Sequence, residues 1–167
     1  MIWMGKLYTT QGWINWDYIV NQNCVFNMIV GARGTGKTYG LMKYFIEHGE
    51  PFIYLRRLKT QLDVCSKATG NPFKRLNLDQ EWNILPYMVG GNVEFHKDTK
   101  DGDIVAVGMA LSTVATIRGV DFSGFNYIVF DEAIAMVGEK PIQHEFDVFM
   151  NFYETVNRNR ELIGEKP

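Results

Sequence analysis

Gly31-Ala32-Arg33-Gly34-Thr35-Gly36-Lys37-Thr38 follows the pattern G-x-x-x-x-G-K-[ST], complete and in order. Glycines at these positions let successive backbone N–H groups turn inward around phosphate oxygens. A lysine next to the last glycine reaches the β- and γ-phosphates, and the hydroxyl after it is a ligand for Mg²⁺. A second constellation lies downstream, where the apolar run Tyr127-Ile128-Val129-Phe130 ends in Asp131-Glu132. The first carboxylate suits the Mg²⁺ shell, through water. The second suits a general base that polarises an attacking water. An apolar run ending in Asp-Glu is weak alone, but paired with a full phosphate loop it is strong. ATP and Mg²⁺ are therefore the expected ligands.

Chemistry of this kind needs a strand, the loop and a helix in series. Phe26-Asn27-Met28-Ile29-Val30 is mostly apolar and reads as a buried parallel strand. Thr38, Leu41, Met42 and Phe45 share one helical face, and Gly49, Glu50 and Pro51 stop that helix. Phe52-Ile53-Tyr54-Leu55 reads as a second strand, ending in Arg56-Arg57. In open α/β sheets the C-terminal end of a strand is the ligand side. These arginines either face phosphates, a partner subunit or DNA, or form a solvated basic loop with surface ion pairs. Residues 58–85 read as short helices and loop broken at Gly70-Asn71-Pro72. Residues 92–95 and 104–111 read as strands around a turn at 98–102. Residues 113–124 read as a loop carrying Arg118. The last helix, 145–156, places Phe146, Phe149, Met150, Tyr153 and Val156 on one face. That geometry turns Arg158 away from the apolar face and Arg160 towards it. The fold class is α/β: a P-loop NTPase of the additional-strand catalytic-glutamate (RecA-like) type. Its central sheet is expected to be mostly parallel and flanked by helices.

Bulk properties set bounds. The 167 residues read most simply as one domain, 1–167, and 46% hydrophobic content supplies a core. A net charge of -2 gives no global basic footprint for nucleic acid, which leaves a local patch or a ring channel open. Cys24 and Cys65 lack metal or redox spacing and read as reduced cytosolic thiols. Neither a signal peptide nor a membrane-spanning helix is expected, so no membrane partner is. The N-terminal aromatics read first as packing residues. A second reading makes them a flap beside the adenine, with Trp16 or Tyr18 stacking on the base and Gln22 reading its edge.

Four segments occur in one order: Ile29 to Tyr39 around the loop, Phe52 to Arg57, Ile128 to Glu132, and Thr155-Val156-Asn157-Arg158-Asn159-Arg160-Glu161. Together they resemble the genome-packaging ATPase of small podovirus-type phages (the Picovirinae), relatives of large-terminase motors. The resemblance spans about 24–161. It implies an ATPase that drives double-stranded DNA into a procapsid, as a homo-oligomeric ring, a pentamer, seated on the portal. A packaging RNA is a further partner it admits. The place of action is the cytoplasm of the infected cell, on the procapsid and not in the mature virion. The resemblance extends the ATP-binding set to Tyr39. It gives Arg158 the role of a finger entering a neighbour's site, with Arg118 as second candidate. It makes Arg33 a coupling residue between nucleotide state and a moving element. Similar motors continue with a further strand, between the two motif strands, and a nuclease-like domain, whereas this sequence ends at Glu165-Lys166-Pro167. Either it is part of a longer protein or that strand is supplied otherwise. The isolated chain is expected to be largely monomeric and to hydrolyse ATP poorly. Two other classes fit the loop: a small-molecule kinase, and a non-catalytic nucleotide switch. Glu132 after Asp131 and the Arg158-Asn159-Arg160 segment argue against the kinase.

Overall fold

The computed structural model describes residues 4–22, 24–114 and 121–158. Contacts group the chain into two compact units, 1–49 and 50–167.

In the first unit, α1 (Met4–Leu7) leads into a short tongue closed by a bridge between Tyr8 and Ile14. α2 (Trp16–Val20) follows, with the Asn15 side chain accepting from the Tyr18 amide as an N-cap. α3 (Lys37–Glu47) starts at Gly36 and buries Met42 and Phe45, the spacing expected of it. Gly49, at φ +67, ends it in the left-handed conformation that glycine tolerates. Gly40 serves packing: a Cβ there would collide with the Trp16 indole nitrogen.

The expected strand at 26–30 is not formed. No described residue pairs with it in a sheet, and Met28 and Val30 are 86% and 79% exposed. A parallel strand exists only with hydrogen-bonding neighbours, and apolar composition cannot provide them.

The second unit is a five-stranded sheet in the order β2-β3-β4-β1-β5. β1 (Phe52–Arg56) pairs in parallel with β4 (Ile104–Ala110) and with β5 (Tyr127–Phe130). β2 (Ile84–Val89) and β3 (Asn92–Lys97) add an antiparallel hairpin to β4, so the sheet is mixed rather than mostly parallel. The sequence reading gives no strand at β2. Its signal was Gly90-Gly91, both at positive φ in a two-residue turn. Pro86 is tolerated because β2 is an edge strand.

Alternation along β1 distributes its side chains between two faces. Phe52 and Tyr54 meet Phe73 and Phe95 on one side, beneath α4 (Lys59–Cys65) and α5 (Lys74–Gln80). Ile53 and Leu55 join Met109, Phe122, Phe152 and Val156 on the other, with α6 (Leu111–Val114) and α7 (Glu145–Val156). α7 runs as expected, but its buried face differs. Phe152 and Val156 are buried, Phe149 is partly buried, and Phe146 is 72% exposed. A helix as rich in aromatics as α7 offers more than one apolar stripe, and the sheet selects one. Among the described residues no helix is long and apolar enough to cross a membrane.

Candidate functional site

The loop 31–38 curls around its own lysine. Lys37 Nζ donates to the carbonyls of Gly31 (2.8 Å) and Ala32 (2.6 Å) and to Thr35 Oγ1 (3.3 Å). The Thr35 hydroxyl donates in turn to the Ala32 carbonyl at 2.9 Å. Gly34 and Gly36 lie at φ +77 and +75, conformations that a side chain would strain. Gly36 is also the N-cap of α3, so the loop ends where backbone N–H groups and the helix dipole favour an anion. Thr38 and Tyr39 are half-buried in the first turn of α3, and Arg33 is exposed at the loop's tip. Among the described residues no three His, Cys, Asp or Glu groups gather to cage a metal.

The N-terminal aromatics separate by environment. Trp16 is buried against Gly40, so it is not available to stack on a base. Gln22 donates its side-chain amide to the Tyr18 carbonyl at 2.8 Å, which engages it with α2. Trp13, which the sequence does not single out for a base, is 62% exposed and lies near Gly36.

In the second unit the carboxylate pair stands at the end of β5. The Asp131 amide donates to the Leu55 carbonyl (3.0 Å), continuing the ladder one residue past the strand. Glu132 then takes φ +52, a left-handed turn that costs a non-glycine residue about 1–3 kcal/mol. Four side chains meet there. Arg56 Nη1 donates to Asp131 Oδ2 (2.9 Å) and Nη2 to Glu132 Oε2 (2.5 Å), while the Tyr54 hydroxyl donates to Asp131 Oδ2 (2.8 Å). Tyr54 and Arg56 are two residues apart on one strand, so both reach the same face. Burial, then the Asp131 carboxylate, push the Tyr54 phenol well above its ordinary range, so it stays a donor. Burial works against the Arg56 charge. The Tyr54 oxygen and the Glu132 and Asp131 carboxylates outweigh it, and the guanidinium is held more firmly protonated than usual. Arg56 Nε is buried, with no hydrogen-bond partner among the described residues.

Arg57 turns to the other face and is fully buried. Its Nε and Nη2 grip both oxygens of Glu145 (2.6 and 2.8 Å), and Nη1 donates to Glu139 Oε2 at 2.5 Å. Gln61 and the Met136 amide donate to Glu139 as well. Hydrogen bonding to Glu145 raises the Arg57 pKa despite the burial. Arg57 is fully buried and Arg56 largely so, so the two do not form a solvated loop. Each neutralises carboxylates within its own unit. The signal for this was the supply of acids at 131, 132, 139 and 145, but sequence alone cannot assign which arginine takes which.

Arg158 lies exposed, two residues past α7, and pairs with no described carboxylate within 4 Å. Arg118 and Arg160 fall outside the described residues.

The fold aligns with the crystal structure of the N-terminal domain of the DNA packaging ATPase from bacteriophage phi29. The TM-score is 0.71 at 28% identity, over 89% of this chain and 74% of that one. The fold is thus of the same class as that packaging-ATPase N-terminal domain. The chain belongs to the family of the Podovirus DNA encapsidation protein (Gp16), whose model matches residues 10–164. A DNA packaging protein of Bacillus phage B103 is 33% identical over 142 residues, 82% of this chain and 41% of the relative. That of Bacillus phage phi29 is 32% identical over 161 residues, 93% of this chain and 44% of the relative. The chain therefore spans less than half the length of the curated relatives it matches.

Proposed function

We propose that this chain is the ATP-hydrolysing motor domain of a machine that drives double-stranded viral DNA into a procapsid. The observation that carries the reading is the extent of the family match, 10–164, which takes in both the glycine loop and the Asp131-Glu132 strand end. The loop at 31–38 binds the triphosphate. Lys37 exchanges its carbonyl partners for β- and γ-phosphate oxygens, a stronger charge-assisted contact. Thr38, and Asp131 through water, would hold Mg²⁺, which would neutralise the developing charge. Tyr54 and Arg56 orient Asp131. Glu132 polarises the attacking water once its carboxylate leaves Arg56. Arg158, exposed and without a described partner, completes a neighbouring subunit's site, and Arg33 couples nucleotide state to movement. In this reading the assembly is a homo-oligomeric ring, a pentamer, on the portal in the infected cell's cytoplasm, with a packaging RNA as a further partner.

Lys37→Ala tests the nucleotide site: loss of most ATP-analogue affinity is expected, and wild-type binding would sink the assignment. Turnover by the complete motor with and without DNA and procapsid tests the rest. Phosphate transfer to a small hydroxyl acceptor would favour the kinase. Binding without turnover, even in the assembled ring, would favour the switch.

A further inference from the structure

Trp13 is a large aromatic residue left in water and yet held in place. The tongue 8–14 fixes its backbone on both sides. The Thr9 amide donates to the Trp13 carbonyl (2.7 Å), the Trp13 amide to Thr9 Oγ1 (3.2 Å), and the Asn15 amide to the Leu7 carbonyl (2.9 Å). Gly12, at φ +83, makes the turn that closes this tongue. Three residues on, Trp16 is buried against Gly40 of α3, which anchors the tongue to the helix that the loop opens. The result is specific: Trp13 Cζ3 lies 3.8 Å from where a Cβ on Gly36 would stand. One edge of the indole thus lies beside the last glycine of the loop, while 62% of the residue remains exposed.

We propose that Trp13 is the stacking platform for the nucleobase of the nucleotide held at 31–38. The proposal rests on the nucleotide-binding reading and sharpens it. Phosphates seated on the loop carry their base one ribose away, and the exposed indole is a flat surface at that loop. Stacking accepts any base, because every base has a π-face. The site therefore gains affinity from the base without choosing strongly among bases. The ligand class is a nucleoside triphosphate, with the triphosphate read by the loop and the base held by Trp13.

The experiment compares Mg²⁺-ATP, Mg²⁺-GTP and Mg²⁺-tripolyphosphate binding by calorimetry to the wild-type chain, Trp13→Ala and Trp13→Phe. Tripolyphosphate offers the loop its phosphates and no base. Trp13→Ala should weaken ATP and GTP by roughly 5- to 150-fold, the usual range for one stacked base. It should leave tripolyphosphate unchanged, and Trp13→Phe should recover most of the loss. Unchanged ATP affinity in Trp13→Ala would overturn the proposal. Equal losses for ATP and tripolyphosphate would overturn it too, since the ring would then only prop the loop. Either result leaves the nucleotide reading intact. A wild-type chain that binds neither ATP nor tripolyphosphate ends both.

Discussion

Removing the Arg57 guanidinium tests the frame that holds the carboxylate end of the second unit. Arg57→Ala deletes three charge-assisted hydrogen bonds at once and leaves Glu139 and Glu145 facing each other. Breaking a buried ion pair by removing one partner costs about 3–5 kcal/mol. Here the guanidinium is buried, but the Glu139 and Glu145 side chains keep 20% and 30% exposure, so water can relieve part of the loss. The lower end, about 3 kcal/mol, is therefore expected. At about 2–4 °C per kcal/mol for a chain of this size, the midpoint should fall by about 6–12 °C. Arg57→Lys should recover only part, because an ammonium cannot grip both Glu145 oxygens in a fork. Urea unfolding gives the free energy. Arg75→Ala provides the control, since its exposed pair with Asp79 is worth about 0–1 kcal/mol. A double cycle of Arg57→Ala with Glu145→Gln should show coupling above about 1 kcal/mol. If Arg57→Ala costs no more than Arg75→Ala, the buried clamp does not carry the stability assigned to it.

Tyr54→Phe removes one hydrogen-bond donor to Asp131, and Mg²⁺-dependent nucleotide affinity should fall several-fold while Mg²⁺-free affinity stays unchanged. Equal losses in both would show a general packing defect. The raised Tyr54 pKa means the folded state keeps its proton after the unfolded chain loses it near pH 10, so stability falls as pH rises above that value. The alkaline fall in urea stability should be shallower in Tyr54→Phe, and an identical pH profile would contradict the assignment. Gly40→Ala drives a methyl into the Trp16 ring and should cost about 1–3 kcal/mol by thermal melting. A neutral result would mean that α2 and α3 separate freely. In the complete motor, Glu132→Gln should bind ATP normally and stop hydrolysis, and unchanged turnover would end its role as base. Arg158→Ala should lower turnover of assembled rings by roughly 10³–10⁵-fold. Mixing these subunits with Glu132→Gln subunits should restore part of it, and normal hydrolysis by Arg158→Ala rings would pass the role to Arg118.

What the sequence determined by itself is local. The glycine pattern specifies a loop with left-handed residues at Gly34 and Gly36. The 3.6-residue spacing marks α3 and the limits of α7, and short apolar runs mark β1 and β5 with Asp131-Glu132 at the strand end. These signals involve neighbours in the chain, whose geometry the backbone enforces. The tertiary structure decided the partnerships. Apolar content was equal to predicting a strand at 26–30, but a strand is a pairing, and none forms there among the described residues. Periodicity gave α7 a wide apolar face, and the sheet chose Phe152 and Val156 over Phe146. Two adjacent arginines with four acids to choose from were divided by strand alternation, Arg56 to Asp131 and Glu132, Arg57 to Glu139 and Glu145. Composition could not tell one tryptophan from another either. Trp16 is buried because Gly40 leaves it room, and Trp13 stays in water beside Gly36 because the tongue holds it there. Each of these depends on contacts between segments distant in sequence, which no window along the chain can see.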